Sequence, residues 1–218
     1  SIRRQRQMCI RDRPKTYYYT DAISDNAVTF LKEHAKDSPD KPVFLYVAYT
    51  TAHWPMHAKP VDIAKYKGRY SKGWDALRAE RHARMIKMGL VDSSWKMTPR
   101  DTGAPDWDKI DLKPWFERRM EVYAAMVDHM DQAVGTIVGA LEKTKQLDNT
   151  LIIYFHDNGA CPEHLSGNGW NTANNILAMA KKAGKTIAVG DKFDVPMGGP
   201  MTYGSVGHNW ANAQNTPM

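Results

Sequence analysis

Between Thr20 and Lys36 the apolar residues Ile23, Ala27, Phe30, Leu31 and Ala35 return at three- and four-residue spacing, with polar residues between them. That period predicts an amphipathic helix, for which Thr20 or Asp21 is available as N-cap. The Asp-Ser-Pro-Asp-Lys-Pro run at 37–42 ends it, and Val43-Phe-Leu-Tyr-Val-Ala-Tyr49 follows as an unbroken apolar segment. An apolar run without alternation predicts a strand covered on both faces. Residues 50–115 are rich in Tyr, Trp, Lys and Arg and predict an excursion over the strand ends, with short helices at Pro60–Lys65 and Trp74–Met88. Helical periodicity resumes from Glu117 to Lys143 through Tyr123, Met126, Val127, Met130, Val134, Ile137, Val138 and Leu141, with Glu121, Asp128, Asp131 and Glu142 opposite. A short turn at Gln146–Asn149 leads to a second apolar strand, Thr150–Phe155. The order strand, excursion, helix, strand is that of an α/β fold with a mostly parallel sheet flanked by helices. After Gly159 only one further helix, Thr172–Lys182, is predicted, and the tail from Val195 to Met218 is aperiodic. A chain closing on Asn215-Thr-Pro-Met218 without a final helix or strand predicts an incomplete domain.

Composition changes this picture little. The chain has 218 residues, enough for one sizeable core, and its 25% charged and 42% hydrophobic content is that of a globular protein rather than a disordered one. No apolar run approaches the length of a membrane span. The formal charge of +6 invites a nucleic-acid reading, but Arg3, Arg4, Arg6, Arg11 and Arg13 against Asp12 supply four of those charges. The excess of two beyond residue 13 leaves no basic face for nucleic acid. Residues 1–13 lack the apolar core and small-residue cleavage site of a secretory signal and resemble translated adapter sequence, so they are set apart as a non-native basic leader to a domain at 14–218. Cys9 and Cys161 form no disulfide framework that would indicate a compartment.

Candidate chemistry gathers at the ends of the two predicted strands. In Phe155-His-Asp-Asn-Gly159 a carboxylate and an amide carbonyl follow an apolar strand, and hard oxygen donors at a strand's carboxyl end suit a divalent cation. Asp157 and Asn158 are therefore candidate metal ligands. Asn-Gly is equally a hairpin signal, although Ala160 to Trp170 offers no alternating strand for a hairpin partner. His53, in Thr51-Ala-His-Trp-Pro-Met-His57, falls at the same sheet edge if the strands are parallel, where it can donate a proton or hold an anionic oxygen. A loop histidine satisfied by backbone is the plainer alternative. His57 does not make a zinc pair with His53, because Pro55 intervenes and no glutamate follows His53. His156 covers the strand end, and His129 is a partner on the flank of its helix. The aromatic-basic run Tyr66–Trp74 reads as a structured loop. No nucleophile elbow, phosphate-binding glycine loop or paired-cysteine signature is present.

As an ordered set, these motifs resemble the arylsulfatases: Tyr19-Thr-Asp21, Thr51-Ala-His-Trp-Pro55, Gly73-Trp-Asp-Ala-Leu-Arg78, Met120–Met126 with Asp128–Gly135, Asp148-Asn-Thr150, Asp157-Asn-Gly159, Gly207–Asn212 and Asn215-Thr-Pro217. The resemblance runs from about Tyr17 onward. It implies an alkaline-phosphatase-like fold and hydrolysis of sulfate esters by a formylglycine beside a calcium ion. It further implies that Asp157 and Asn158 are calcium ligands and that His53 contacts the sulfate group and assists departure of the alcohol. The family usually carries Ser where this chain has His156. By the same resemblance the Cys/Ser-x-Pro-x-Arg nucleophile motif and the first carboxylate ligands lie, in the family, upstream of the start of this chain, and a sulfate-contacting lysine lies after Met218. Cys161, in Cys161-Pro-Glu-His-Leu165, does not match that motif. The implied substrate is a small sulfate ester or a sulfated carbohydrate, and the implied setting is periplasmic or secreted. The alternatives are a phosphodiesterase or phosphonate hydrolase of the same superfamily, or a non-catalytic homologue serving as a binding module.

Overall fold

In the computed structural model the described residues are 16–163, 165, 171–189 and 197–218; the leader at 1–13 lies outside them. Six α-helices are described: α1 Tyr19–Asp37, α2 Pro60–Ala64, α3 Gly73–Lys87, α4 Lys113–Lys143, α5 Asn171–Lys182 and α6 His208–Gln214. Two-residue strands β1 Ala188–Val189 and β2 Thr202–Tyr203 pair in parallel, Ala188 against Thr202 and Val189 against Tyr203. Single 3-10 turns occupy Trp107–Lys109 and Leu147–Asn149. The chain divides into two compact units, one holding the described residues up to Thr51 together with His129–Ile152, the other Ala52–Asp128 with Ile153–Met218.

In the smaller unit α1 buries Thr20, Ser24, Ala27 and Leu31. That face is turned from the one the apolar residues predict: Phe30 is exposed, and hydroxyl residues take the inward positions. They do so because each has a partner. Thr20 Oγ1 meets Thr51 Oγ1 at 2.8 Å, and Ser24 Oγ meets the Tyr49 hydroxyl at 2.8 Å. Neither Thr20 nor Asp21 caps the helix. The N-cap is Tyr18, without a side-chain bond, and Asp21 instead accepts a hydrogen bond from His129 Nε2.

The expected strand Val43–Tyr49 is not a strand, since no described residue forms a ladder with it. Leu45, Val47 and Tyr49 are half-buried while Phe44, Tyr46 and Ala48 are exposed, Phe44 to 93%. The segment therefore has the two-residue alternation of a strand with one face covered, rather than the doubly covered strand expected. Residues 151–155 of the second expected strand, Thr150–Phe155, likewise form no ladder among the described residues, with Leu151 exposed to 85%. The physical reason is common to both. A strand's backbone donors and acceptors are satisfied only by a neighbour, and the described residues supply none here.

The larger unit has the main core. Trp74, Trp107, Trp115 and Trp210 gather with Met56, Ile63, Val122 and Met126. The Trp74 ring meets Trp107, Phe116 and Trp210 edge-on at centroid distances of 4.7, 5.5 and 5.4 Å, the arrangement that aromatic quadrupoles favour. Two of the indole donors are satisfied by backbone, Trp74 Nε1 donating to Pro105 O at 2.9 Å and Trp210 Nε1 to Phe116 O at 2.8 Å. Gly73 opens α3 at φ +79°, where a Cβ would fall 2.2 Å from the Trp107 ring. Along α4, Met126, Met130 and Leu141 are buried as expected, but Glu121 is buried too. It accepts from the Gly68 backbone N–H at 2.8 Å and faces Arg118 at 3.5 Å, which corrects its assignment to the solvent face. The tail is also more ordered than its aperiodicity implies. Trp210, Ala211 and Ala213 of α6 pack inward, in a seven-residue helix too short for periodicity to register.

Candidate functional site

The Asp157-Asn158-Gly159 bend follows residues 151–155 with both candidate ligands exposed. Asn158 Nδ2 donates to Gly159 O at 2.6 Å, which engages the amide nitrogen and leaves Oδ1 as the acceptor. Asp157 makes no hydrogen bond or ion pair with a described residue. Immediately after the bend, Asn215 grips the backbone of Ala160. Its Oδ1 accepts from Ala160 N at 2.8 Å and its Nδ2 donates to Ala160 O at 3.2 Å. A Cβ on Gly159 would lie 2.6 Å from Asn215 Oδ1, so this grip requires a glycine there. The turn is thus built by residues 56 positions apart in one unit, and not as a hairpin.

His53 is exposed, and its Nδ1 lies 2.6 Å from Trp54 O. A carbonyl only accepts, so the neutral ring carries its proton on Nδ1 and leaves Nε2 as the open nitrogen. Trp54 is the group that holds this arrangement. Its ring lies 4.6 Å from the imidazole and 5.8 Å from Tyr203, and its Nε1 donates to Glu163 Oε2 at 2.6 Å. Glu163 is held in turn by Ser205 Oγ, which donates to its carbonyl at 2.6 Å. Trp54, Leu165, Val189 and Tyr203 pack as a small apolar cluster beneath these bonds. His53 and the Asp157 bend are therefore linked through Trp54 and Glu163, six residues beyond Asp157, rather than through adjacent strands. Among the described residues no bond joins His53 directly to Asp157 or Asn158. Burial pushes the Cys161 thiol up from its ordinary pKa, with the neighbouring Glu163 and Trp54 as smaller influences of both signs. A thiol so placed stays protonated near neutrality and is a poor nucleophile.

Three further histidines singled out in the sequence have structural partners. His57 Nε2 meets Thr202 O at 2.7 Å, His156 Nε2 meets the Tyr154 hydroxyl at 2.9 Å, and buried His129 pairs with Asp21 beside the Tyr18 ring. In the smaller unit an open recess of about 300 Å³ is lined by Asp21, Asp25, His129 and Gln132 among others, but Asp21 and His129 there are already paired with each other. Among the described residues no group of three or more His, Cys, Asp or Glu side chains is arranged to hold a metal ion. Asp157 and Asn158 match calcium in donor chemistry, which is hard oxygen, and they supply part of the ~6–8 oxygens such an ion takes.

Sequence reasoning passed over Trp54, Glu163 and Asn215 as functional supports. Asn215 carried a signal, since it heads the Asn-Thr-Pro motif and Gly159 marks a close approach. Glu163 carried none, because its partner stands 109 residues away.

A family model described as Sulfatase matches residues 3–197. An uncharacterized sulfatase of Schizosaccharomyces pombe is 35% identical over 149 residues, covering 67% of this chain and 26% of that protein. An arylsulfatase of Klebsiella aerogenes is 26% identical over 211 residues, 94% of this chain and 41% of that protein. An N-acetylglucosamine-6-O-sulfatase of Bacteroides thetaiotaomicron is 25% identical over 198 residues, 70% of this chain and 35% of that protein. The chain thus spans less than half the length of each of these relatives.

Proposed function

The chain belongs to the sulfatase family, and from that premise we propose that the protein containing it hydrolyses sulfuric esters, with calcium and a formylglycine as its cofactor set. The observation that carries this reading on the molecule itself is the Asp157-Asn158 bend. An exposed carboxylate without a described partner stands beside an amide whose nitrogen is already engaged by Gly159 O, which offers two hard oxygens on one turn. When bound, the cation would draw charge from the sulfate oxygens and the formylglycine would provide the nucleophile.

The chain's own share is positioning and proton transfer. Asp157 and Asn158 supply part of the cation's oxygen shell. His53 has Nδ1 engaged by Trp54 O, so Nε2 is the atom that meets the ester, and in the imidazolium form, with both ring nitrogens protonated, Nε2 gives its proton to the departing alcohol oxygen and leaves the neutral Nδ1–H ring. Arylsulfatase and N-acetylglucosamine-6-O-sulfatase relatives support an aryl or carbohydrate sulfate as substrate.

The test is turnover of an aryl sulfate by calcium-loaded full-length protein. His53→Ala is expected to lower kcat by roughly 10²–10⁴-fold, the range of a general acid. A phosphodiester hydrolysed faster than the aryl sulfate would move the protein to the phosphodiesterases of this superfamily, and turnover of neither would leave a binding module. The segment 14–218 alone is expected to give no turnover above its own His53→Ala control.

A further inference from the structure

The amide of Asn215 engages both the N–H and the C=O of Ala160, at 2.8 and 3.2 Å. It is bonded to one peptide position from both sides, as a neighbouring strand would be, yet it comes from a side chain 55 residues further along. Two other features place this contact against the bend rather than against the loop that follows. Gly159 is the residue whose Cβ would collide with Asn215 Oδ1, so the amide lies against the last residue of the Asp157-Asn158-Gly159 turn. Gly159 O is also the acceptor for Asn158 Nδ2, so any shift of that peptide moves the candidate ligand. Asn215 itself is fixed from behind. Its backbone N donates to Ala211 O at the end of α6, and α6 is seated in the tryptophan core through Trp210. Thr98 N donates to Pro217 O at 3.0 Å and closes the same end of the chain.

We infer that Asn215 is a positioning residue that sets the Asp157-Asn158 turn for a divalent cation by clamping the Ala160 peptide against Gly159. This rests on the reading of Asp157 and Asn158 as cation ligands and goes beyond it in assigning what aims them. Among the described residues no β-ladder holds residues 151–155, and the contacts that do grip the turn come from the Asn215 side chain. An amide suits this task better than a carboxylate, because it both donates and accepts and adds no negative charge that would attract the cation to itself. Partners that orient metal ligands typically contribute ~10–100-fold to affinity.

The experiment measures terbium affinity, by luminescence and with calcium as competitor, on the full-length protein and three variants. Amide exchange at Ala160 in the cation-free state is read alongside. Asp157→Ala is expected to abolish binding at the site. Asn215→Ala is expected to weaken it about 10–100-fold and to speed exchange at Ala160. Asn215→Asp, which keeps the acceptor and loses the donor, is expected to fall between, and it carries the test if Asn215→Ala fails to fold. Full affinity in both Asn215 variants, with binding still lost in Asp157→Ala, would overturn the positioning role and leave the cation reading intact. Unchanged affinity in Asp157→Ala would overturn both.

Discussion

The tryptophan core and the two apolar segments at 43–49 and 151–155 are both made of large apolar residues, and they end in opposite places. Trp74 and Trp210 are exposed to no more than 1%, whereas Phe44 is exposed to 93% and Ile153 to 71%. Hydropathy does not separate these regions. Backbone satisfaction does. The core residues ride on α3, α4 and α6, whose hydrogen bonds close within each helix and leave the side chains free to pack. Residues 43–49 and 151–155 belong to no helix, and none of the described residues forms with them the ladder that a strand needs. Burial of an apolar strand is thus conditional on a partner in a way that burial of an apolar helical face is not.

Substitutions at the two regions can break this comparison. Trp210→Ala removes an inward ring of 0% exposure and frees the acceptor at Phe116, and it is expected to cost about 3–5 kcal/mol in urea unfolding. A loss under 1 kcal/mol would mean that this core is not what holds the larger unit. Phe44→Ser is expected to change stability by no more than about 0.5 kcal/mol, as for other exposed sites. If Phe44→Ser proved as costly as the tryptophan change, the segment would have to be covered in solution. The smallest effect concerns an exposed polar contact. The Gly103 backbone N–H, and then His208, hold the Asp101 carboxyl below its ordinary value of 3.8. A depressed carboxylate contributes stability above its unfolded pKa and loses it as pH falls through the folded value, so this contribution should fade only below about pH 4. Carboxyl NMR titration of Asp101 checks the direction, and a midpoint at or above 3.8 would remove the contribution.

How much of this was legible in the sequence follows the same division. The helices α1, α3, α4 and α5 were predicted within a few residues, because their periodicity records contacts inside a single segment. The face of α1 was not, since the inward positions of Thr20 and Ser24 depend on Thr51 and Tyr49. The strands failed for want of partners, and α6 escaped because seven residues hold too few turns. Asp157, Asn158 and His53 stood out as residue types at the ends of apolar runs. What links them did not, because Trp54 to Glu163 and Ala160 to Asn215 span 109 and 55 residues and leave no local pattern.

The clamp on Ala160 also imposes an order on synthesis. The amide that completes the turn is translated 55 residues after the peptide it grips, which at about 5–20 residues per second is a delay of about 3–11 s. Throughout that interval the nascent chain carries Asp157 and Asn158 without their final geometry. A ribosome stalled before residue 215 would therefore present an unset turn, and the site would be ready to load only once Asn215 has been added.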